Sequence, residues 1–321
     1  MNLKKIGILT SGGDSPGMNT ALRAVTRTAI QNGLEVTGIE QGYQGMFEKK
    51  FVELGPRNVG GIMQRGGTFL YTARCARFLK PEGRLEALEN LRNEGIQALV
   101  IIGGNGSLTG GLELERLGMP VVGLPGSIDN DLYGTDVAIG VDTCLNTILH
   151  AIDNIKDTAS SHRRAFILEV MGRNSGYLAM MSALAGGAEV AVIPEIPTDM
   201  EEVKQKLVAA FDRGKSHFII VVAEGAALKT REIFDYLCQH SSYEARVTIL
   251  GHIQRGGSPS AFDRILATRL GYAAVQTLLE GKSGVMMGLS GKSIVATPLE
   301  DVISRSKPVD MVGFELIKLL S

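Results

Sequence analysis

Short apolar runs recur along the chain, each closing on glycine, serine or a charged residue before a helical pattern begins. They are KIGILTSGG, LEVTGIEQG, ALVIIGGNGS, PVVGLPGS, RAFILEVMG, AEVAVIPE, HFIIVVAEG and RVTILGH. Runs with little polar alternation have no solvent face, so they read as strands buried on both sides. Between them, segments 17–32, 82–95, 141–157, 200–214 and 261–280 repeat apolar residues with a 3.6-residue period opposite a polar face. Strands alternating with amphipathic helices predict the α/β class, with mainly parallel sheets sandwiched by helices. The strands near 100, 121, 167 and 219 are so evenly spaced that two sheets or one large sheet fit equally well. No Pro/Ser-rich linker or charge run marks a domain boundary.

Length and charge narrow this picture. The 321 residues suffice for two packed units of roughly 100 to 200 residues each. Hydrophobic residues at 44% and charged residues at 21% give a chain able to bury a substantial core. Lys plus Arg at 33 against Asp plus Glu at 34 leaves a net charge of −1, so no global field draws nucleic acid or an anionic membrane. Neither partner is expected, and an anionic ligand must be met by local arginines. Cys75, Cys144 and Cys238 are odd in number and contain no CxxC pair, which indicates neither a disulfide framework nor a zinc site and fits a reducing cytoplasm. The start, MNLKKIGILTSGGD, reaches glycine after a short apolar stretch and reads as a first strand rather than a signal peptide.

The chemistry-bearing residues lie where strands end. In ILTSGGDSPGMN, Gly12 and Gly13 follow a strand, Asp14 or Ser15 is placed to cap a helix, and Pro16 suits its first position. The second loop, GGNGS at 103–107, repeats that logic. Two such loops in one parallel sheet can face a shared crevice at its carboxyl edge. Neither contains GxGxxG or GxxxxGK[ST], so the Rossmann and Walker signatures are absent. In GLPGSIDNDLYGTD, residues 123–136, a strand ends in Pro-Gly and presents Asp129 and Asp131. Like charges this close push one pKa upward, and a carboxylate there can serve as base or metal partner; an Asx-rich turn is the alternative reading. Further along stand SSHRR at 160–164, VMGRNSG at 170–176, AEG at 223–225, Arg246 and GHIQRGGSP at 251–259. Arginines beside glycines can clamp a sugar phosphate through forked hydrogen bonds, the alternative for each being a solvated surface charge.

In this order, LTSGGDSPGMN, RGGTFLYTAR, IGGNGS, PGSIDND, DTASSHRR, EVMGRNSGY, AEG and LGHIQRGGSP resemble the bacterial ATP-dependent 6-phosphofructokinases, from about residue 4 to residue 285. The resemblance implies two α/β domains: residues 1–139 plus 252–304 binding ATP, and 140–251 plus 305–321 binding fructose 6-phosphate. It implies nucleotide contacts at Gly13, Arg74, Cys75, Gly104, Asn105, Gly106 and Ser107, with Asn105 where a Mg²⁺-associated carboxylate is expected. Asp129 matches the base that takes the proton from the sugar 1-hydroxyl, with Asp131 beside it. Ser127 stands where the family has Thr, and Arg173 would stabilise charge on the equatorial oxygens. Ile128, Met171, Gly172, Glu224, His252, Ile253, Gln254 and Arg255 match the remaining sugar-phosphate positions. Arg164 and Arg246 match arginines donated across a subunit interface, which implies a homotetramer with shared active sites.

The same resemblance bears on donor and control. Relatives using pyrophosphate carry Asp at the position of Gly106 and Lys at that of Gly126; small residues here leave room for the α-phosphate and ribose of ATP. Arg23, Arg27, Arg57, Lys156, Gly187, Glu189, Arg213, Lys215 and His217 fit the family's effector pocket, for ADP as activator and phosphoenolpyruvate as inhibitor. Lys156 replaces an arginine often found there, and PRNVGG at 56–61 shows two glycines where relatives carry Ser and Asp. The competing readings are a pyrophosphate-dependent enzyme and, because of Asn105, a nucleotide-sensing relative with an impaired metal site.

Overall fold

A computed structural model of the chain describes residues 3–162 and 164–320, the His162 side chain excepted, so Arg163 of the SSHRR motif lies outside the described residues. The chain divides into two compact units, residues 1–143 with 255–307 and residues 144–254 with 308–321.

The first unit is built on a seven-stranded sheet. Its strands are β1 (Lys5–Ser11), β2 (Glu35–Ile39), β3 (Phe51–Glu53), β4 (Ala98–Gly103), β5 (Val121–Pro125), β10 (Val285–Ser290) and β11 (Ser293–Pro298), in the order β11-β10-β5-β4-β1-β2-β3. The five inner strands run parallel, while β3 and β11 are antiparallel edges. Every residue of β4 and β5 is buried, as unbroken apolar runs require of strands covered on both faces. On one face α1 (Met18–Gln31) and α9 (Ala261–Leu279) pack with Ile6, Ile8, Val100, Ile102 and Val122. Gly271 permits their close approach, since a Cβ there would meet the Ala24 methyl at 2.8 Å. On the other face α2 (Tyr43–Glu48), α3 (Pro81–Asn93), α4 (Asn105–Arg116) and α10 (Leu299–Ser304) enclose Leu9, Leu99, Ile101 and Val121.

The second unit carries a four-stranded parallel sheet, β7-β8-β6-β9, from β6 (Ala165–Val170), β7 (Val190–Val192), β8 (Phe218–Ala223) and β9 (Ala245–Ile249). One face is covered by α7 (Met200–Asp212) and α8 (Thr230–His240), with Leu207, Phe211, Ile233 and Leu237 buried against Ile167, Ile220 and Val222. The long α5 (Val141–His162), α6 (Tyr177–Gly186) and α11 (Met311–Leu320) complete the set. Even strand spacing thus conceals two separate sheets.

The cuts between units fall a few residues beyond those expected, for local reasons. The Asp263 carboxylate accepts from Gly140 N, Thr143 N and the Thr143 hydroxyl, holding the start of α5 in the first unit. Burial pushes the Asp263 carboxyl above its usual value despite these three donors. Gln254 is held within the second unit, its Oε1 accepting from Met171 N at 3.1 Å. Lys307 donates to the Asp136 carbonyl and belongs to the first. No helix among the described residues is long and apolar enough to cross a membrane.

Candidate active site

The loop after β1 folds differently from the capping pattern expected of it. The N-cap of α1 is Gly17, at φ 109 and without a side-chain cap, so Pro16 precedes the helix and neither Asp14 nor Ser15 caps it. A Cβ at Gly17 would come within 2.7 Å of Ile139 Cγ2, so the tight left-handed turn is the one that fits. The Ser15 hydroxyl is buried with no hydrogen-bond partner. A Cβ at Gly13 would lie 2.3 Å from Arg255 Nη1, and that nitrogen donates to the Asp14 carbonyl at 3.1 Å. Arg255, expected at the sugar phosphate, is therefore buried over the first glycine loop. Asn19, at the end of the same motif, secures the RGGTFLYTAR segment: its Oδ1 accepts from Phe69 N at 2.7 Å and its Nδ2 donates to the Arg65 and Gly66 carbonyls. Beyond that segment, Arg74 is exposed and Cys75 half-buried.

After β4 the helix begins inside the loop itself. Gly104 is the N-cap and Asn105 the first residue of α4, so unpaired N–H groups of the first turn are available to phosphate oxygens. A Cβ at Gly103 would approach the Ser11 carbonyl to 2.5 Å, which fixes glycine there, whereas one at Gly106 would meet nothing within 4 Å. Beneath the turn the Tyr43 hydroxyl donates to the Ser107 carbonyl, and burial pushes its phenol far above the usual value.

The acidic segment leaves β5 beside this loop, with Gly126 N donating to the Gly103 carbonyl at 3.0 Å. Ser127 and Asp129 are buried, and Ser127 Oγ accepts from Asp129 N at 3.3 Å. Asn130 adopts φ 50, left-handed backbone that Asn tolerates better than most residues. Asn105 Nδ2 donates to Asp131 Oδ2 at 2.8 Å, tying the acidic segment to the second glycine loop. A carboxylate only accepts, so the nitrogen of the Asn105 amide is the end that meets Asp131. Two expectations change here. Ile128 is fully buried, so only its backbone can meet a ligand. A Cβ at Gly126 would point at Met18 Cε, 2.7 Å away, and Ile102 Cγ2; its smallness serves the core rather than leaving room for a nucleotide.

For Mg²⁺ the available donors are hard oxygens, the Asn105 amide and the Asp131 carboxylate. No group of three or more His, Cys, Asp or Glu able to hold a metal occurs among the described residues. That donor set fits a cation held chiefly by substrate phosphates and water.

In the second unit, Arg173 has φ 51 and its N–H donates to Glu224 Oε1 at 3.0 Å. Gly225 is required beside it, because a Cβ there would collide with the Arg173 carbonyl at 1.6 Å. Met171 and Gly172 (φ 138) are buried, while His252 and Ile253 are exposed. Gln254 is buried with both amide ends engaged, its Nε2 donating to the Gly251 carbonyl, so it shapes the turn and is not open to a ligand. Arg164 and Arg246 are joined through Glu244, whose Oε2 lies 2.6 Å from Arg164 Nε and 3.1 Å from Arg246 Nη2. Glu244 was not legible in the sequence, where it is one acid among many.

Of the effector residues, Lys156, Glu189, Lys215 and His217 come together. Lys215 pairs with the buried Glu189 at 3.1 Å, and Lys156 donates to the Gly186 carbonyl beside Gly187. Burial lowers the His217 imidazole below its usual value, Glu189 opposing and the two lysines reinforcing. Arg213 Nε instead donates to the Ala209 carbonyl at the end of α7. Arg23 and Arg27 lie on α1 and Arg57 in the loop after β3, all in the first unit.

Comparison with known proteins agrees with this arrangement. The phosphofructokinase family model matches residues 5–278. The ATP-dependent 6-phosphofructokinase of Thermotoga neapolitana is 52% identical over 320 residues, covering 99% of this chain and 100% of its own. ATP-dependent 6-phosphofructokinase 1 of Thermus thermophilus is 53% identical over 321 residues, with 99% and 100% covered. Among solved structures, Pichia pastoris phosphofructokinase in the T-state superposes with a TM-score of 0.90 at 39% identity, over 94% of this chain and 37% of that longer one. A pyrophosphate-dependent phosphofructokinase from Marinobacter aquaeolei, 22% identical, shares the fold at a TM-score of 0.85, over 99% and 91%. By sequence match over most of its length, the chain belongs to the phosphofructokinase family.

Proposed function

We propose that the chain transfers the γ-phosphoryl group of MgATP to the 1-hydroxyl of D-fructose 6-phosphate, giving fructose 1,6-bisphosphate and ADP, the committed step of glycolysis. The observation that carries this is the Asn105–Asp131 hydrogen bond of 2.8 Å, which joins a phosphate-ready helix N-terminus to a buried aspartate turn. The relatives at about half identity carry the ATP-dependent name, and the open space at Gly106 suits a nucleotide.

In this mechanism the first unit binds ATP and the second fructose 6-phosphate. Asp129 takes the 1-hydroxyl proton as that oxygen attacks phosphorus, and burial among loop dipoles keeps it preorganised. The Ser127 hydroxyl and the first-turn N–H groups of α4 hold the phosphoryl oxygens, and Arg173 neutralises charge spreading over them. Asn105 and Asp131 are the residues that would hold Mg²⁺, which supplies charge neutralisation of the β- and γ-phosphates when bound. Gly13, Arg74, Cys75 and Ser107 complete the nucleotide side. Met171, Gly172, Glu224, His252 and Ile253 complete the sugar side, with Arg164 and Arg246 donated across a subunit interface. The assembly is a homotetramer, supported by the exposed Phe262, Ile265 and Tyr272 along α9. The Lys156/Glu189/Lys215/His217 cluster binds ADP and phosphoenolpyruvate. Three free cysteines suit the cytoplasm.

A matrix assay of ATP, GTP and pyrophosphate against fructose 6-phosphate, tagatose 6-phosphate and sedoheptulose 7-phosphate tests the reading. Turnover is expected with ATP and fructose 6-phosphate. Turnover with pyrophosphate and none with ATP overturns it.

A further inference from the structure

We infer that Lys307 is a positioning residue for phosphoryl transfer, acting through the Asp136 carbonyl on the turn that carries Asp129 and Asp131. The inference rests on Asp129 being the base of the proposed reaction.

Several contacts hold the turn from Ser127 to Ala138, and two of them meet on the Asp136 carbonyl. Asn130, between the two aspartates and in left-handed backbone, donates from Nδ2 to the Asp136 carbonyl at 3.1 Å and accepts at Oδ1 from Ala138 N at 3.0 Å. The same Asp136 carbonyl accepts from Lys307 Nζ at 2.6 Å. A carbonyl oxygen has two lone pairs, so Asn130 and Lys307 together saturate it. Asp136 is otherwise fixed to the β10–β11 hairpin, its N–H donating to the Leu289 carbonyl and its Oδ2 accepting from Gly291 N at 2.6 Å. Lys307 is therefore the charged strut on the atom from which Asn130 hangs, and Asn130 sets the direction in which Asp129 and Asp131 leave the backbone.

Charge adds to geometry. The half-buried ammonium is pushed down to about 8 by burial, with Asp136 and then Asp131 opposing that shift. A lysine that stays beside two carboxylates offsets repulsion that would splay the turn. Two residues earlier, Arg305 reaches the same loop elsewhere: its Nη1 donates to the Tyr133 hydroxyl at 3.2 Å and its guanidinium lies 5.3 Å from the ring centroid. Arg305 engages Tyr133 and Asp301 and so serves as a comparison for simple docking of the segment.

The test uses the full chain with ATP and fructose 6-phosphate, comparing K307M, K307R and R305A for kcat, both KM values and melting temperature. A parent chain without fructose 6-phosphate turnover refutes the functional reading itself, which separates the two failures. With an active parent, K307M is expected to lower kcat about 10- to 100-fold, the scale set by displacing a reacting group by about an ångström. Its KM values and melting temperature stay near the parent's, K307R recovers most of kcat, and R305A stays within about twofold of the parent. Three results overturn the inference: K307M with parental kcat, K307M and R305A equally impaired, or a kcat loss in K307M that tracks a lowered melting temperature and is not recovered by K307R.

Discussion

The two glycine loops of the first unit follow parallel strands in the same sheet, yet their glycines do opposite things. After β1, Gly13 is small because the Arg255 guanidinium occupies the space a Cβ would take, and Gly17 because Ile139 does. After β4, Gly103 is equally crowded, but Gly106 faces open space within 4 Å. One loop uses glycine to admit another part of the protein; the other also leaves one glycine facing open space. Glycine content alone does not distinguish a packing requirement from a binding site, whereas the atoms that a Cβ would meet do.

The sharpest way to break this comparison is to remove the group that the second loop is built beside. Asp129→Ser is expected to lower kcat about 10²- to 10⁴-fold, the range for a positioned base, with fructose 6-phosphate binding retained in a calorimetric titration. A variant that turns over normally removes Asp129 from proton transfer.

Next in size is a direct exchange between the loops. In G13A the methyl must displace the buried Arg255 guanidinium and break its bond to the Asp14 carbonyl. The lost charge-assisted bond, about 1.5–3 kcal/mol, is expected to lower the melting temperature measurably. G106D meets no protein atom and leaves the melting temperature unchanged, but its carboxylate raises KM for ATP by at least about tenfold, equivalent to about 1.4 kcal/mol. If G13A kept the parent's melting temperature, or G106D lowered it, the division of labour would be wrong.

The smallest expected effect concerns Asn105. N105D sets a second carboxylate against Asp131, where the amide now donates at 2.8 Å. Like charges in contact cost stability until a cation intervenes. The melting temperature of N105D should fall in EDTA and recover with Mg²⁺ by more than the parent's does, and half-saturating Mg²⁺ in the assay should drop. Superimposable Mg²⁺ dependences in parent and variant would take Asn105 out of metal binding.

Eight strands and five helices are legible in the pattern because buried strands are unbroken runs and surface helices are amphipathic. What escapes has physical reasons. β3 has three residues, and β10–β11 is a hairpin at the sheet edge whose partners are distant in sequence. α4 begins within GGNGS and contains three glycines, a composition that propensity assigns to a loop. At the site, the candidate residues are picked out by motifs, but their supports are not. Glu244 between two arginines, Tyr43 beneath Ser107 and Lys307 on Asp136 act through contacts that span from 2 to 171 positions of sequence separation. The failed expectations share one cause: Asp14 or Ser15 as cap, Gly126 as ligand space and Gln254 as ligand were each assigned from residue type, while side-chain direction decided the outcome.

The position of Gly126 also constrains the history open to this scaffold. Any side chain grown there meets Met18 and Ile102 before it can reach a substrate. Met18 has a flexible thioether that can retreat or be replaced by something shorter. A lineage that acquires a long residue at 126 therefore has to move Met18 as well, so the loop position and the core beneath it change together.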